Sequence, residues 1–264
     1  MQLHAITANN SNKEAAHNLE TGQRPRSMSQ RNDSPAAPDG RINTSQARAY
    51  WESAPVDVNG MLGGIPAHDG FSSLSQIDLQ GSRTFLARFG IGTKRGRRTL
   101  TSTLEGGAGI GRVTEGLLLP VSEHVDVVEP ICKFTAALQG RPGVRSIFNV
   151  GLEEWRPSPA REYDLIWVQW CLGHLTDEQV ARFLTLAKAV LKPATGLVVV
   201  KENLSTSGTD VYDSTDSSVT RQDSSFRRIF RQAGMTVVRS ELQRGLPERP
   251  TLKLLPVNMY ALRP

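Results

Sequence analysis

The sequence predicts an α/β fold with a doubly wound, mostly parallel sheet. Short apolar runs alternate with helical patterns from residue 99 to residue 200, and this alternation is typical of parallel strands covered by helices. A glycine-rich turn, LEGGAGIGR at 104–112, follows the first run. Polar side chains gather where the later runs end. Because the carboxyl ends of parallel strands meet at one edge, where such sheets bind ligands, the site is expected there.

The composition of the chain limits which binding partners and cofactors are expected. The chain has 264 residues, enough for one domain with extensions, and a formal net charge of +5. Its densest basic run, 94–98, is interpreted as a solvated loop, so no nucleic acid is expected. The two cysteines lack metal-ligand spacing, and no metal is expected. No apolar run has membrane length, and the first residues lack the apolar core of a secretory signal. We expect a cytoplasmic monomer without membrane partners, with the nucleus as an alternative location.

The chain divides into a tail and a single domain. Residues 1–45 are rich in Asn, Ser, Gln, Pro and Arg, which predicts a disordered tail. The domain covers 46–264 and opens with a lid segment, 46–92. Within this lid, GMLGG at 60–64 indicates a mobile flap over a ligand, because its glycines permit unusual dihedrals. Residues 73–89 are predicted as a helix that Gly90 ends.

The glycine turn begins the predicted cofactor unit. The run at 99–104 is expected to be a strand, and Gly107 and Gly109 allow the backbone to turn and approach a ligand. A helix is predicted over 112–119. The next strand, HVDVVE at 124–129, ends in Glu129, whose carboxylate can accept hydrogen bonds from ribose hydroxyls.

The spacing of the glycines argues against a dinucleotide. The dinucleotide fingerprint has its third glycine three residues after the second, and here Arg112 takes that place. A nucleoside without a phosphate fits this turn better, and S-adenosylmethionine (AdoMet) is such a ligand. The alternative is a tight turn with no ligand, and a glycine cluster alone does not decide between the two.

The remaining elements follow in chain order. YDLIWVQW at 163–170 is almost continuously apolar, as expected for a strand buried on both faces. The other predicted elements are a helix at 131–139, a strand at 145–150, a helix at 177–191, a strand at 196–200, a polar loop at 203–221, a helix at about 219–232, and strands at 235–242 and 258–262. Thr176 or Asp177 is expected to cap the helix at 177–191, and Asp216 or Ser217 is a candidate cap of the helix near 219.

Several separate blocks resemble one known family, the alpha-N-terminal protein methyltransferases, which methylate the free amine of Xaa-Pro-Lys proteins. The blocks are YW at 50–51, DVNGMLGG at 57–64, GGAGIGR at 106–112, DLIWVQWCLGHLTD at 164–177, VVVKEN at 198–203 and DSTDSSVTR at 213–221. The resemblance runs from about residue 50 to residue 263. It implies a Rossmann-like, seven-stranded class I methyltransferase sheet with helices on both faces, an N-terminal helical cover and AdoMet as cofactor.

The resemblance also implies roles for particular residues. It assigns the cofactor site to Gly107, Arg112, Glu129, Leu152 and Gln169, and the glycine turn adds Gly109. It assigns substrate binding to Trp51, Leu62, Gly63, Trp170 and Asp213. It places Asp216, His174 and Asn203 in the same substrate channel, and we expect these three to be the catalytic residues. The chain departs from the usual family residues at Glu105, Glu129 and Glu202, where the family has Asp, and at Asn258, where it often has Tyr.

These residue types suit methylation of an amine. An α-amino group has a pKa of about 8 and is mostly protonated near neutrality, so a base must stand beside it. Asp216 and His174 are the two candidates, and Asn203 would fix the amine. Asp213 would pair with a basic third substrate residue, and Trp170 would pack the proline ring with Trp51 or Leu62. The expected partners are Xaa-Pro-Lys proteins, ribosomal proteins among them.

Other functions remain open at this level. One is an N-methyltransferase of a small amine or a peptide natural product, because the fold does not specify the acceptor. Another is a binding protein without turnover. Methylation of nucleic-acid bases is disfavoured because KENL at 201–204 lacks the aromatic and proline-flanked pattern expected for it. Read alone, His174 is also compatible with a structural role.

Overall fold

The structure is a computed structural model that describes residues 5–6, 37–250 and 252–264. Most of the predicted tail, 1–45, lies outside the described residues. A short strand, β1 (Ala5–Ile6), pairs antiparallel with β10 (Lys253–Leu254).

A seven-stranded sheet forms the centre of the fold. Its strands are β2 (Leu100–Gly106), β3 (Ser122–Val128), β4 (Val144–Phe148), β5 (Leu165–Gln169), β6 (Leu197–Asn203), β9 (Thr236–Leu242) and β11 (Val257–Arg263). They are ordered β4-β3-β2-β5-β6-β11-β9. The strands β2, β3, β4, β5 and β6 are parallel, and β11 runs antiparallel to both of its neighbours, β6 and β9. Every residue of β5 and β6 is buried. The predicted doubly wound α/β sheet is confirmed.

Helices cover both faces of this sheet. The α-helices are α1 (Thr44–Ser53), α2 (Val58–Met61), α3 (Leu74–Ala87), α4 (Asp177–Ala189) and α5 (Asp223–Gln232). α4 and α5 contribute Phe183 and Phe230 to the core on one face. α3 contributes Phe85 to the other, together with Leu117 from a π-helical turn, Thr114–Leu118. Among the described helices, none combines the length and apolar character needed to cross a membrane.

Local sequence explains where α4 begins. Thr176 accepts a hydrogen bond from the backbone N–H of Gln179, and the Gln179 side chain accepts one from the backbone N–H of Thr176. This capping box satisfies two amide groups that would otherwise lack partners at the start of a helix. The predicted start of α4, with Thr176 as its cap, is therefore confirmed.

Two predictions of local structure were wrong. The helix expected at 131–139 is only a 3-10 turn, Thr135–Leu138. The loop expected at 203–221 contains a hairpin of β7 (Val211–Asp213) and β8 (Ser218–Thr220). Consequently α5 begins at Asp223 instead of near residue 219, and neither Asp216 nor Ser217 is its cap. Asp213 ends a paired strand and Asp216 lies in the turn between the two strands, an arrangement that a polar composition does not reveal.

The segment 37–46 packs against this hairpin. The backbone N–H of Asn43 donates to Ser217 Oγ at 2.8 Å, and the Gln46 side chain donates to the Ser214 carbonyl at 2.8 Å. The Arg41 guanidinium lies 4.2 Å from the centre of the Tyr212 ring. The boundary predicted at residue 45 therefore falls within a packed segment, and the described part of the domain begins by residue 37.

Candidate active site

The glycine turn after β2 has the geometry that its sequence predicts. Gly107 and Gly109 have φ values of +70° and +55°, which favour glycine. A Cβ on Gly107 would lie 2.6 Å from Cys171 Cβ. The Gly109 N–H donates to Glu129 Oε2 at 2.8 Å, and Glu129 Oε1 accepts from the Ile131 N–H at 3.0 Å. Glu129 thus ties the turn to the loop after β3, and burial raises the pKa of its carboxyl group.

An open cleft lies beside this turn. Its lining includes Trp51, Gly107, Gly109, Glu129, Leu152 and His174. Leu152 also packs below the turn, where a Cβ on Gly106 would meet its side chain at 3.1 Å. The structure therefore gathers four of the six predicted cofactor residues along one wall.

Arg112, a fifth predicted cofactor residue, is buried with its charge only partly satisfied. Its Nη1 donates to Asp78 Oδ2 at 2.8 Å and lies 3.4 Å from Ser75 Oγ. Its Nη2 is buried and has no hydrogen-bond partner among the described residues. A guanidinium with a remaining donor binds a carboxylate through charge-assisted hydrogen bonds. The residue fits the methionyl carboxylate of AdoMet.

Asp78, on α3, was missed by the sequence analysis. This fully buried carboxylate accepts from Arg112, from Gln169 Nε2 at 3.0 Å and from Lys201 Nζ at 2.5 Å. Burial alone would raise its pKa, but the charges of Lys201 and Arg112 hold the pKa of Asp78 below its usual value. Gln169, the sixth predicted cofactor residue, therefore meets Asp78. The signal in the sequence that could have revealed Asp78 is an acidic residue on the apolar face of the predicted helix at 73–89.

Glu105, at the carboxyl end of β2, is another buried acid near Arg112. Its carboxyl group accepts a hydrogen bond from Thr114 Oγ1. Burial raises the pKa of Glu105 to about 8, so the group is largely protonated at neutral pH. Glu105 therefore does not neutralise the cations around Asp78.

The turn after β5 carries two predicted site residues, Trp170 and His174. Trp170 has a φ of +53°, an unusual value for a residue with a large side chain. Glu202 Oε1 accepts hydrogen bonds from the backbone N–H groups of Cys171 and Leu172, each at 2.9 Å. Burial raises the pKa of Glu202 to about 7. Glu202 thus holds the strained turn that places Trp170 and His174.

The three predicted catalytic residues line one small polar hollow, together with Trp170, Glu202 and Ser218. His174 Nε2 accepts from Trp51 Nε1 at 3.0 Å and lies 3.9 Å from Asp216 Oδ2. Because an indole N–H can only donate, Nε2 of His174 is the acceptor in this contact. Asp216 is fully buried, and its Oδ1 accepts from Ser218 Oγ at 2.6 Å. Asn203, at the end of β6, completes the group. His174 also lines the larger cleft.

The remaining predicted substrate residues lie around this hollow. Trp51, Leu62 and Trp170 belong to one apolar cluster, in which Leu62 is fully buried. Gly63 follows Leu62 with a φ of +65°. Asp213 ends β7 and accepts from the Thr215 N–H at 2.8 Å. The structure brings these residues together, and their contacts with substrate stay predictions.

Fold and site together define a class of protein. The doubly wound sheet has a glycine turn, an acid after β3, and a buried guanidinium with an unused donor, all at the edge where the parallel strands end. This arrangement fits a nucleoside that carries an amino-acid carboxylate. The class is that of the AdoMet-dependent methyltransferases.

Comparisons with known proteins give the family. A protein-family model described as AdoMet dependent proline di-methyltransferase matches residues 39–263 of this chain. The chain is 42% identical over 222 residues to alpha N-terminal protein methyltransferase 1 of Schizosaccharomyces pombe, covering 83% of this chain and 95% of the relative. It is 40% identical over 226 residues to human N-terminal Xaa-Pro-Lys N-methyltransferase 1, covering 83% and 94%.

A solved structure agrees with these sequence matches. A SAM-dependent methyltransferase of Leishmania major superposes with a TM-score of 0.72 at 31% identity, over 83% of this chain and 82% of that one. The chain belongs to the AdoMet-dependent proline di-methyltransferase family. The predicted family and the AdoMet cofactor are thereby confirmed.

Proposed function

We propose that this protein transfers methyl groups from AdoMet to the free α-amino group of proteins that begin Xaa-Pro-Lys. The observation that carries the proposal is the cluster of Asp216, His174 and Asn203 beside two buried tryptophans, next to the cofactor cleft. The printed names of its relatives support the same acceptor. Ribosomal proteins with such a start are proposed substrates, and we propose a cytoplasmic monomer.

The cofactor site is proposed to use the six residues already predicted for it. When bound, AdoMet supplies an electrophilic methyl group on a sulfonium. Arg112 would bind the carboxylate of its methionine part through the unused Nη2 donor. Glu129 would accept hydrogen bonds from the ribose with its remaining lone pairs, since a carboxylate offers about four acceptor positions.

Deprotonation of the acceptor amine is the task proposed for the catalytic cluster. An α-ammonium group has no lone pair, and at neutral pH most chain ends are in that form. Asp216 is buried and lies 3.9 Å from His174, so the two side chains can share a proton released by the amine. Asn203 would orient the neutral amine with its side-chain amide. Positioning the nitrogen in line with the methyl group supplies much of the remaining rate.

Recognition of the second and third substrate residues is proposed to follow from apolar packing and charge. Trp170, close to Trp51, presents an aromatic surface that suits a rigid proline ring. The Trp170 indole N–H is buried and has no acceptor in the described part of the chain, which leaves a donor for a peptide carbonyl. Asp213, at the end of β7, would pair with a lysine or arginine at the third position.

Rates on a small peptide set test this acceptor. We expect a peptide that begins Ser-Pro-Lys to be methylated, the same peptide with an acetylated amino end to be inert, and replacement of proline by alanine to lower kcat/KM at least about tenfold, the equivalent of 1.4 kcal/mol. A small amine as the better acceptor, or equal rates for the proline and alanine peptides, would contradict the proposal.

A further inference from the structure

We infer that Asp78 is a positioning residue for the cofactor, which fixes the Arg112 guanidinium so that its second nitrogen meets the methionyl carboxylate. Asp78 lies on α3, in the segment that precedes the whole sheet in sequence. The inference rests on the contact proposed above between Arg112 and that carboxylate, and it does not depend on which acceptor the enzyme methylates.

The contacts of Asp78 leave its carboxylate little freedom. Oδ2 accepts from Arg112 Nη1 at 2.8 Å, Oδ1 accepts from Lys201 Nζ at 2.5 Å, and Gln169 Nε2 lies 3.0 Å from both oxygens. Three donors from three separate elements therefore share one carboxylate. Because each contact restricts its rotation, the carboxylate presents a fixed acceptor to Arg112.

The partners of Asp78 are themselves held in place. Lys201 Nζ also donates to Ser82 Oγ and to Gln243 Oε1, each at 2.9 Å. Gln169 Oε1 accepts from Trp167 Nε1 at 3.1 Å. Lys201, Gln169 and Trp167 belong to the two most buried central strands, β5 and β6. Because these partners lie on buried strands of the sheet, they hold the Asp78 carboxylate in place, and Asp78 in turn holds the Arg112 guanidinium.

The charges of this network favour an anionic ligand. Two buried cations, Arg112 and Lys201, share the single charge of Asp78. Glu105 adds little negative charge at neutral pH, since burial raises its pKa to about 8. One positive charge is left over, on the side where Arg112 Nη2 has no partner in the described ranges. A buried charge of this kind is costly unless paired, and the ligand carboxylate would pair it.

A substitution at this position separates positioning from net charge. Asp78→Asn adds one positive charge to the site, so an effect of charge alone would strengthen binding of a carboxylate ligand. If Asp78 acts by holding the guanidinium, the same change weakens that binding. The two accounts therefore predict opposite directions.

Calorimetry with two nucleosides measures the contribution of the carboxylate. S-adenosylhomocysteine carries the amino-acid group, and 5′-methylthioadenosine lacks it, so the ratio of their affinities reports the site around Arg112. We expect Asp78→Asn to lower this ratio about tenfold or more, as loss of a hydrogen bond to a charged group does, and to leave the affinity for methylthioadenosine unchanged. Arg112→Ala gives the ratio without the guanidinium.

Asp164→Asn is the matched control. It makes the same chemical change at a buried acid just before β5, which contacts Lys192 and the backbone of Thr101 and not the network around Arg112. The affinity ratio should therefore stay within about threefold of wild type, a difference below 1 kcal/mol. An unchanged or higher ratio in Asp78→Asn would overturn the inference.

Unchanged binding of methylthioadenosine would show that the Asp78→Asn protein is folded. If that protein does not fold, Asp78→Glu is the variant that tests the inference. The glutamate keeps the charge but moves the carboxylate by one methylene. A lower ratio in this variant supports positioning. A ratio equal to that of the wild type contradicts it.

Discussion

At the scale of single residues, the catalytic cluster combines buried charge with strained backbone. Trp170 and Ser217 both have positive φ values, near +53° and +54°. Each is adjacent to a functional group: Trp170 precedes the turn that carries His174, and Ser217 follows Asp216. Strain of this kind costs about 1–3 kcal/mol and persists where surrounding contacts over-determine it. Here the contacts come from Glu202 and from Asn43.

Asp216→Asn tests the proposed base. The amide keeps the shape of the side chain but accepts protons poorly, so we expect kcat on a Ser-Pro-Lys peptide to fall about 100-fold or more. Affinity for S-adenosylhomocysteine, measured by calorimetry, should stay near wild type. Asp213→Asn is the matched control in the same hairpin, and it should raise KM for the peptide more than it lowers kcat. Full activity in Asp216→Asn would remove this residue from the mechanism.

Glu105 gives a prediction about pH and stability. Its pKa rises from 4.5 to about 8 on folding, so between these values the native state holds a proton that the unfolded state has lost. The free energy of unfolding therefore falls as pH rises from about 5 to about 8. Glu105→Gln cannot ionise, and its stability relative to wild type should increase over this range. The pKa of Glu202 is also raised on folding, but Glu202 is present in both the wild type and Glu105→Gln, so its contribution cancels in the comparison.

Urea unfolding at pH 5 and pH 8 without cofactor measures this difference. Glu178→Gln, at an exposed position on α4, controls for the loss of one carboxylate. If the Glu105→Gln and wild-type proteins lose the same free energy of unfolding between the two pH values, then Glu105 does not carry the proton in the native state.

At the scale of elements, the sequence predicted what local patterns determine. β5 and β6 were predicted from the nearly continuous apolar runs at 163–170 and 196–200, and α4 was predicted because a cap precedes an amphipathic stretch. The hairpin of β7 and β8 was missed because serine and aspartate are common in loops. Its strands pair with each other, and its turn contacts Asn43 and Gln46, about 170 residues earlier in sequence.

Thr176→Ala tests the cap of α4. Loss of the side-chain oxygen leaves the Gln179 N–H without its acceptor, so we expect the free energy of unfolding to fall by about 1 kcal/mol. Thr185→Ala makes the same chemical change at an exposed position of the same helix and should alter stability by less than about 0.5 kcal/mol. Equal losses in the two variants, measured by urea unfolding, would show that the cap contributes nothing specific.

At the scale of the whole molecule, the covering segments and the sheet form one site. α1 supplies Trp51, α3 supplies Asp78, and the central strands supply Gln169 and Asn203. Sequence patterns indicated where the strands end and thus where the polar residues gather. They did not indicate that Asp78 lies against Arg112, Gln169 and Lys201, because these pairs are 34, 91 and 123 residues apart. Long-range pairing of buried charges depends on the assembled fold.

Ligand binding should stabilise this assembly. At a free concentration of about 100 times Kd, S-adenosylhomocysteine should add about 2.7 kcal/mol to the free energy of unfolding. For a chain of this size that corresponds to a rise in Tm of roughly 5–10 °C. Thermal unfolding with Arg112→Ala, at the same ligand concentration, should show a smaller rise because its Kd is higher. A wild-type Tm that does not move at any ligand concentration would contradict the assigned cofactor site.

The most direct test of the proposed activity is the position of the transferred methyl group. The protein is incubated with isotopically labelled AdoMet and a Ser-Pro-Lys peptide that also contains internal lysines, and tandem mass spectrometry locates the label. We predict label on the α-nitrogen of the first residue and none on lysine side chains. Label on a lysine side chain, or an unmodified peptide, would contradict the account.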